Sequence, residues 1–220
     1  MVKTKDGHYT EEFHVLKSNK AIRHGSFKKL DDDKRILLTG FHKNGLKDSL
    51  WTAYYKWSGV TKNTGMYSND TKVGEWKYYD QKGELIQTYD YSKNELVSFK
   101  NEDPERKFLI KTAQGTEEMK LERPLMYLGG MDEALSEIVR TIKYPGEAVD
   151  AGTSGMVIIA FFVDKEGRAT EHQVHTGIGH GCDEEALRVV ETIPDNWLPG
   201  VLNGEEVVAQ FLFPVRFTLR

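Results

Sequence analysis

His172, His175, His180 and Cys182 fall close together, and imidazole nitrogen with thiolate sulfur is the usual ligand set of zinc. The spacing argues against such a site. His172 and His175 stand three apart on a stretch read as a strand, which points them to opposite faces. The reading adopted is a solvent-facing histidine pair and a buried structural thiol, with no metal assigned. Cys182 opens a predicted helix, where a thiol pKa can be lowered. No general base accompanies it.

Gly177-x-Gly179-x-Gly181, just ahead of that helix, has the outline of a phosphate loop. The helix begins Asp183-Glu184-Glu185, however, and three carboxylates would repel a phosphate. Glycines that permit a tight loop are the better reading. Asp31-Asp32-Asp33 reads as a solvated turn, because the calcium-loop pattern is missing. There is no Gly-x-Ser-x-Gly, His-Glu-x-x-His or Walker sequence. No carboxylate pair is singled out for acid–base work. The sequence therefore predicts a protein without catalytic residues, and no cofactor.

Bulk properties narrow the class further. The 220 residues leave room for one large or two small domains, with 39% hydrophobic and 29% charged residues. A net charge of −4 and a pI near 6.0 argue against a nucleic-acid partner. One cysteine forms no intrachain disulfide. No run approaches the roughly 20 apolar residues of a membrane span. The first 30 residues lack the apolar core of a signal peptide, so a targeting segment is expected to be absent or trimmed away.

The elements that would position a site are clearest from Gly155 onward. Met156 to Val163 is a nearly continuous apolar run, turned by Asp164-Lys165-Glu166-Gly167 into a second extended stretch ending near Thr176. A short helix follows, with Ala186, Val189, Val190 and Ile193 on one stripe and Pro194 closing it. Val207, Ala209, Phe211, Phe213, Val215, Phe217 and Leu219 then alternate as a strand. An earlier helix is predicted from Met131, with Leu135, Ile138, Val139 and Ile142 on one face, stopped by Tyr144-Pro145. The run at 156–163 is apolar on both faces, so its second face, including Phe162, is expected to be covered by the N-terminal module or another chain.

The first third repeats itself. Thr39-Gly40-Phe41 through Trp51 aligns with Thr64-Gly65-Met66 through Trp76, and a partial copy follows at Tyr89-Asp90-Tyr91. His24-Gly25-Ser26-Phe27 takes the place of Val73-Gly74-Glu75-Trp76. The period is about 25 residues, the mark of stacked supersecondary units. Short aromatic runs bounded by Gly, Asn and Asp read as hairpins. Their shared aromatic face would carry Phe27, Trp51, Trp76 and Tyr78, as a ribbon core or as a ligand-binding face. Gly74-Glu75-Trp76-Lys77-Tyr78-Tyr79-Asp80 and Lys82-Gly83-Glu84-Leu85 resemble MORN-like repeats of the YwqK type, over roughly residues 20–98. That resemblance implies an interaction or spacer module.

A second resemblance covers roughly residues 124–219. Tyr144-Pro145, Gly155-Met156-Val157, Phe161-x-Val163-Asp164 and Gly167 precede Gly177-Ile178-Gly179-x-Gly181-Cys182-Asp183-Glu184-Glu185-Ala186-Leu187. Trp197-x-Pro199-Gly200, Asn203-Gly204 and Pro214-Val215-x-Phe217 complete the series. In this order they resemble the TonB C-terminal domain of Bacteroidetes-type envelope proteins. The resemblance implies a periplasmic or cell-envelope location. It also implies capture of a segment of a TonB-dependent outer-membrane receptor as an added strand. Such pairing needs an unprotected sheet edge. The last strand is the candidate, because proline within a strand marks an edge or bulge. By position, Val207, Val208, Ala209, Gln210, Phe211, Leu212 and Phe213 form the expected peptide-binding strand. An energy transducer would add a membrane anchor and a proline-rich linker. Neither is seen here, and the 6 prolines are scattered.

The fold expected is α+β. It comprises an N-terminal antiparallel β-hairpin repeat ribbon (1–98), a linker (99–123) in which Phe108-Leu109-Ile110 is read as one added strand at most, and a C-terminal two-layer α/β sandwich (124–220) of a three-stranded antiparallel sheet with two helices. The leading functional reading is a non-catalytic envelope protein that binds a protein partner by strand addition. The alternative is an assembly module whose last strand mediates a homodimer. A third, YwqK-type antitoxin-like intracellular reading rests on the repeats alone.

Overall fold

A computed structural model describes residues 1–219. Two compact units emerge, Met1–Lys100 and Asn101–Arg220. The first is a single antiparallel meander paired in chain order. Its strands are β1 (Val2–Asp6), β2 (Tyr9–Val15), β3 (Arg23–Asp31), β4 (Ile36–Lys43), β5 (Leu46–Tyr54), β6 (Thr61–Ser68), β7 (Thr71–Tyr79), β8 (Leu85–Asp90) and β9 (Glu95–Phe99).

Turn chemistry sets the register. Asn44-Gly45 and Asn69-Asp70 close two-residue hairpins, all four residues at positive φ, the conformation whose twist matches paired strands. The turns after β3 and β7 are wider and close on an aspartate. Asp31 accepts the Arg35 backbone N–H at 2.9 Å and its Nε at 2.8 Å. Asp80 accepts the N–H groups of Lys82 and Glu84, each at 2.9 Å.

Packing repeats with the sequence. Trp51 lies over Gly40 of the neighbouring strand so closely that a Cβ there would stand 2.2 Å from the indole. Its Nε1 donates to the carbonyls of Phe41 (3.1 Å) and Asp48 (3.2 Å). In the next copy Trp76 Nε1 donates to the Met66 carbonyl at 3.0 Å. Gly40 and Gly65 both sit where the ladder slips register, at β-bulges. Cations complete the pattern. Lys47 Nζ lies 4.8 Å from the Trp51 ring and 4.9 Å from Tyr67, and Lys72 Nζ 4.4 Å from Trp76 and 4.9 Å from Tyr91. Arg23 lies likewise between Phe13 and Phe27.

The second unit holds β10 (Lys107–Thr112), β11 (Gly115–Lys120), β12 (Met126–Tyr127), α1 (Met131–Thr141), α2 (Gly146–Asp150), β13 (Gly155–Val163) and β14 (Ala169–Thr176). It continues with α3 (Cys182–Val190), β15 (Trp197–Leu198), β16 (Gly200–Leu202), β17 (Glu205–Val207) and β18 (Ala209–Phe217). Its main sheet has five strands in the order β11-β10-β18-β13-β14, with β12-β15 and β16-β17 as separate pairs.

This overturns the expected fold class. The chain is mostly β, 53% strand against 11% helix, not an α+β protein with a small two-helix sandwich. The three-stranded sheet gains β10 and β11 from residues 107–120, inside the segment expected to be a linker. Phe108 and Ile110 of β10 are buried in the same core as Phe161, Phe213, Val189 and Ile138. A single helical turn, α2, is also added. Within α1, Ala134 and Ile138 are buried, whereas Val139, expected on the buried face, is 75% exposed. One position along a helix rotates a side chain by about 100°, enough to leave the stripe.

Candidate functional site

The seven residues expected to form a peptide-binding strand divide between elements. Val207 ends β17, paired with Gly200. Val208 connects, and Ala209 to Phe213 belong to β18. β18 lies between two strands, and the two pairings are unequal. Along β13 the ladder runs unbroken from Gly155↔Phe217 to Val163↔Ala209. Along β10 it consists of Ile110↔Ala209, with the Lys111 N–H donating to the Val208 carbonyl at 2.9 Å.

That bond fixes which way the backbone groups face. In an antiparallel ladder the amide and carbonyl of alternate residues point to opposite neighbours. Val208 points toward β10, so Gln210, Leu212, Pro214 and Arg216 direct their backbone groups away from β13. From Leu212 onward that side has no strand partner among the described residues. Pro214, which has no N–H to offer, falls on this open side, where its missing donor breaks no ladder bond. Side chains alternate accordingly: Ala209, Phe211, Phe213, Val215 and Phe217 are buried, while Leu212, Pro214 and Arg216 are exposed. The site is thus a half-open edge.

β13 is apolar on both faces, as its sequence suggests. Ala160 is fully buried and Phe162 is 7% exposed. Lys111 Nζ lies 4.4 Å from the Phe162 ring centroid and 2.5 Å from Glu171 Oε1. One lysine therefore holds β18 through its backbone and covers β13 through its side chain.

The glycine loop is filled from within. The Asp183 carboxylate accepts the N–H groups of Ile178 (2.7 Å) and Gly179 (3.2 Å), the donors a phosphate would need. A Cβ at Gly177 would stand 2.2 Å from Asp183 Oδ2, so this close approach requires glycine. Cys182 is buried. Burial first, then Asp183 and Glu184, push its thiol above the ordinary range, against the lowering a helix start alone would give.

The histidines do not converge. His172 stacks on Phe161 with ring centroids 5.0 Å apart. His180 Nδ1 lies 2.9 Å from Thr153 Oγ1, and His175 is exposed on β14. Among the described residues no three His, Cys, Asp or Glu side chains gather as a metal-holding group.

The repeat aromatics Phe27, Trp51, Trp76 and Tyr78 are all buried, the two indoles at 2% exposure. Phe27 and Trp51 lie 5.4 Å apart, and Tyr67 bridges Trp51 (5.9 Å) and Trp76 (5.1 Å). Tyr78 shares its hydroxyl with Tyr91 at 2.7 Å. These rings form a continuous packed row. Lys111 and Arg106 carry parts of the second unit's geometry that no sequence pattern singles out, and Asp183, expected only to repel a phosphate, holds the loop from within. The short apolar run Phe108-Leu109-Ile110 was the one local signal for β10.

The second unit is a five-stranded antiparallel sheet with a half-open edge, and its helices share one core with it. Residues 140–219, from the end of α1 through β18, match the family model described as the Gram-negative bacterial TonB protein C-terminal. No curated protein matches the chain, and no solved structure does. Among the described residues no helix is long and apolar enough to cross a membrane.

Proposed function

We propose that this is a non-catalytic cell-envelope protein that takes up an extended segment of a partner protein along the open stretch of β18. The observation that carries the reading is the TonB C-terminal match over residues 140–219. In that family the last strand pairs with a segment of an outer-membrane transport receptor. The open backbone groups at Leu212, Pro214 and Arg216 support it, since strand addition requires donors and acceptors without partners. The expected strand Val207–Phe213 is moved in this reading toward Leu212–Arg216, because β10 already meets β18 at Ala209. The first unit, resembling MORN-like repeats, serves as a spacer or partner-holding module; its packed row of rings supports a scaffolding role over an aromatic ligand face.

Titration of isotope-labelled protein with receptor-derived peptides, followed by NMR, tests the reading. Saturable shifts centred on Leu212 to Arg216 are expected. A folded monomer that shows no shifts with any receptor peptide overturns it. A tight dimer by light scattering, abolished by Leu212→Pro, replaces it with self-association on the same edge.

A further inference from the structure

The β10–β11 hairpin gives the edge a fixed end. β10 is antiparallel to β18 and, with Ile110 opposite Ala209, continued pairing would set Lys107 opposite Leu212. Pairing stops instead at one register. β10 stays joined to β11 over its whole length, from Lys107↔Lys120 to Thr112↔Gly115. The hairpin is not held by that single register alone. Phe108 and Ile110 are buried in the unit's core, Arg106 lies against both Phe108 (4.8 Å) and Phe211 (5.5 Å), and Lys111 covers Phe162. A strand anchored by its side chains and clipped by its backbone acts as a wall rather than a lid.

A cation stands at each end of the open stretch, on opposite faces of the sheet. Arg106 packs against Phe211 where β10 departs, and Arg216 is exposed near the far end. Neither guanidinium has a carboxylate partner in an ion pair among the described residues. The other edges of this sheet are less suited to pairing. β14 carries two register slips and a left-handed Glu171, and β11 presents Glu117 and Glu118, exposed and charged.

Resting on the strand-capture reading, we infer that the β10–β11 hairpin is a built-in stop. It confines the added strand to Leu212–Arg216 and selects a short extended segment, about five residues in contact, with an acidic side chain at the end that meets Arg216. Pairing of such a segment begins where the Ile110↔Ala209 clip ends and does not displace it.

Hydrogen exchange on the full chain tests this, with an acetylated, amidated heptapeptide alternating serine and valine between terminal aspartates. The expected result is slowed exchange at the Leu212 and Arg216 amides, with the Lys111 and Gln210 amides unchanged. Lys111→Pro removes the clip's donor, and Lys111→Ala is the control that keeps it. The proline variant should extend protection to Gln210 and bind about tenfold tighter, the worth of one or two further backbone bonds. Arg216→Ala should abolish the preference for aspartate over asparagine peptides. Binding that exposes the Lys111 amide overturns the stop and leaves strand capture standing. Equal binding of aspartate and asparagine peptides by the unaltered chain overturns the acidic selection. Absence of binding by the unaltered chain and both Lys111 variants, while they remain folded, overturns this inference. If receptor-derived peptides also fail, strand capture falls with it.

Discussion

A Cβ placed on Gly65 would stand 2.3 Å from Cδ2 of the Trp76 indole, with two more ring atoms inside 2.6 Å. The ring occupies the space every other residue would need. It cannot withdraw without breaking its 3.0 Å bond to the Met66 carbonyl and its contacts with Tyr67 and Lys72. Gly65→Ala should therefore destabilise the chain by about 1–3 kcal/mol, the usual cost of overpacking a well-filled site. Chemical denaturation followed by circular dichroism measures it. An unchanged midpoint would show that the bulge relaxes freely.

Buried imidazoles make stability depend on pH. His42 lies edge-on to Phe27 and Trp51, at 5.2 and 5.1 Å, with Nδ1 buried and unpartnered among the described residues. Burial first, then Arg23, lowers its pKa from the ordinary 6.5; Lys47 adds to this, while Asp70 and Glu11 oppose it. His172 is lowered by burial, with Glu191 and Asp195 opposing. For both, the unfolded chain binds the proton more readily than the folded one. Stability is then fully present above 6.5 and is lost as pH falls through the folded values. Thermal melts should drop between pH 7.5 and 5.5, and His42→Phe should flatten part of that slope. A slope identical in the variant would place the effect elsewhere.

A second, more acidic loss should follow from the turn aspartates. At Asp31 and Asp164 burial raises the carboxyl pKa, but bonds from Arg35 and Arg168 lower it further, to a net decrease. At Asp80 the Glu84 N–H leads the lowering. Folded values below the ordinary 3.8 mean stability that is present above 3.8 and lost as pH falls through them. Melts carried below pH 4 in Asp80→Asn should lose less than the unaltered chain. Parallel curves would remove this turn from the account.

Asp183 offers a local test of the loop before α3. Its carboxylate holds the N–H groups of Ile178 and Gly179, and Asp183→Ala would strand both donors. The expected cost is about 1–3 kcal/mol, read by denaturation, with Asp183→Asn retaining a part. Equal stability of all three proteins would mean that water replaces the carboxylate without loss.

What the sequence disclosed follows physical range. The stripe Ala186, Val189, Val190 and Ile193 and the alternation of β18 are local patterns. Each repeats within a few residues, and the structure buries those positions. Asn-Gly and Asn-Asp turns are local as well. β11 is different: Gly115 to Lys120 carries one apolar side chain, Met119, because an edge strand buries little. β10 shows its character only through the short run Phe108-Leu109-Ile110. Its meeting with β18 joins residues far apart in the chain and has no local signature. The half-open edge at Leu212 is a product of that meeting, so the last strand was legible in its alternation and the extent of its open side was not. Val139 shows the same limit on a smaller scale, since an apolar residue beside a stripe is not thereby part of it.

Neighbours on β18 should separate folding from binding. Phe213 is fully buried, its ring 6.4 Å from Trp197 and 6.2 Å from Phe211. Phe213→Ala leaves a cavity where the surrounding rings have little room to close in, at an expected cost of about 3–5 kcal/mol. Leu212 is 38% exposed on the other face, and Leu212→Ala should change stability by about 1 kcal/mol or less. Its backbone N–H is what an added strand would use. Leu212→Ala should therefore keep peptide binding within a few fold, whereas Leu212→Pro removes the donor and should abolish it while the β13 ladder survives. Denaturation curves and peptide titrations on the three variants check both halves. If Leu212→Pro stays folded and still binds, the strand is not being added at this edge, because no other outward N–H lies between Gln210 and Arg216.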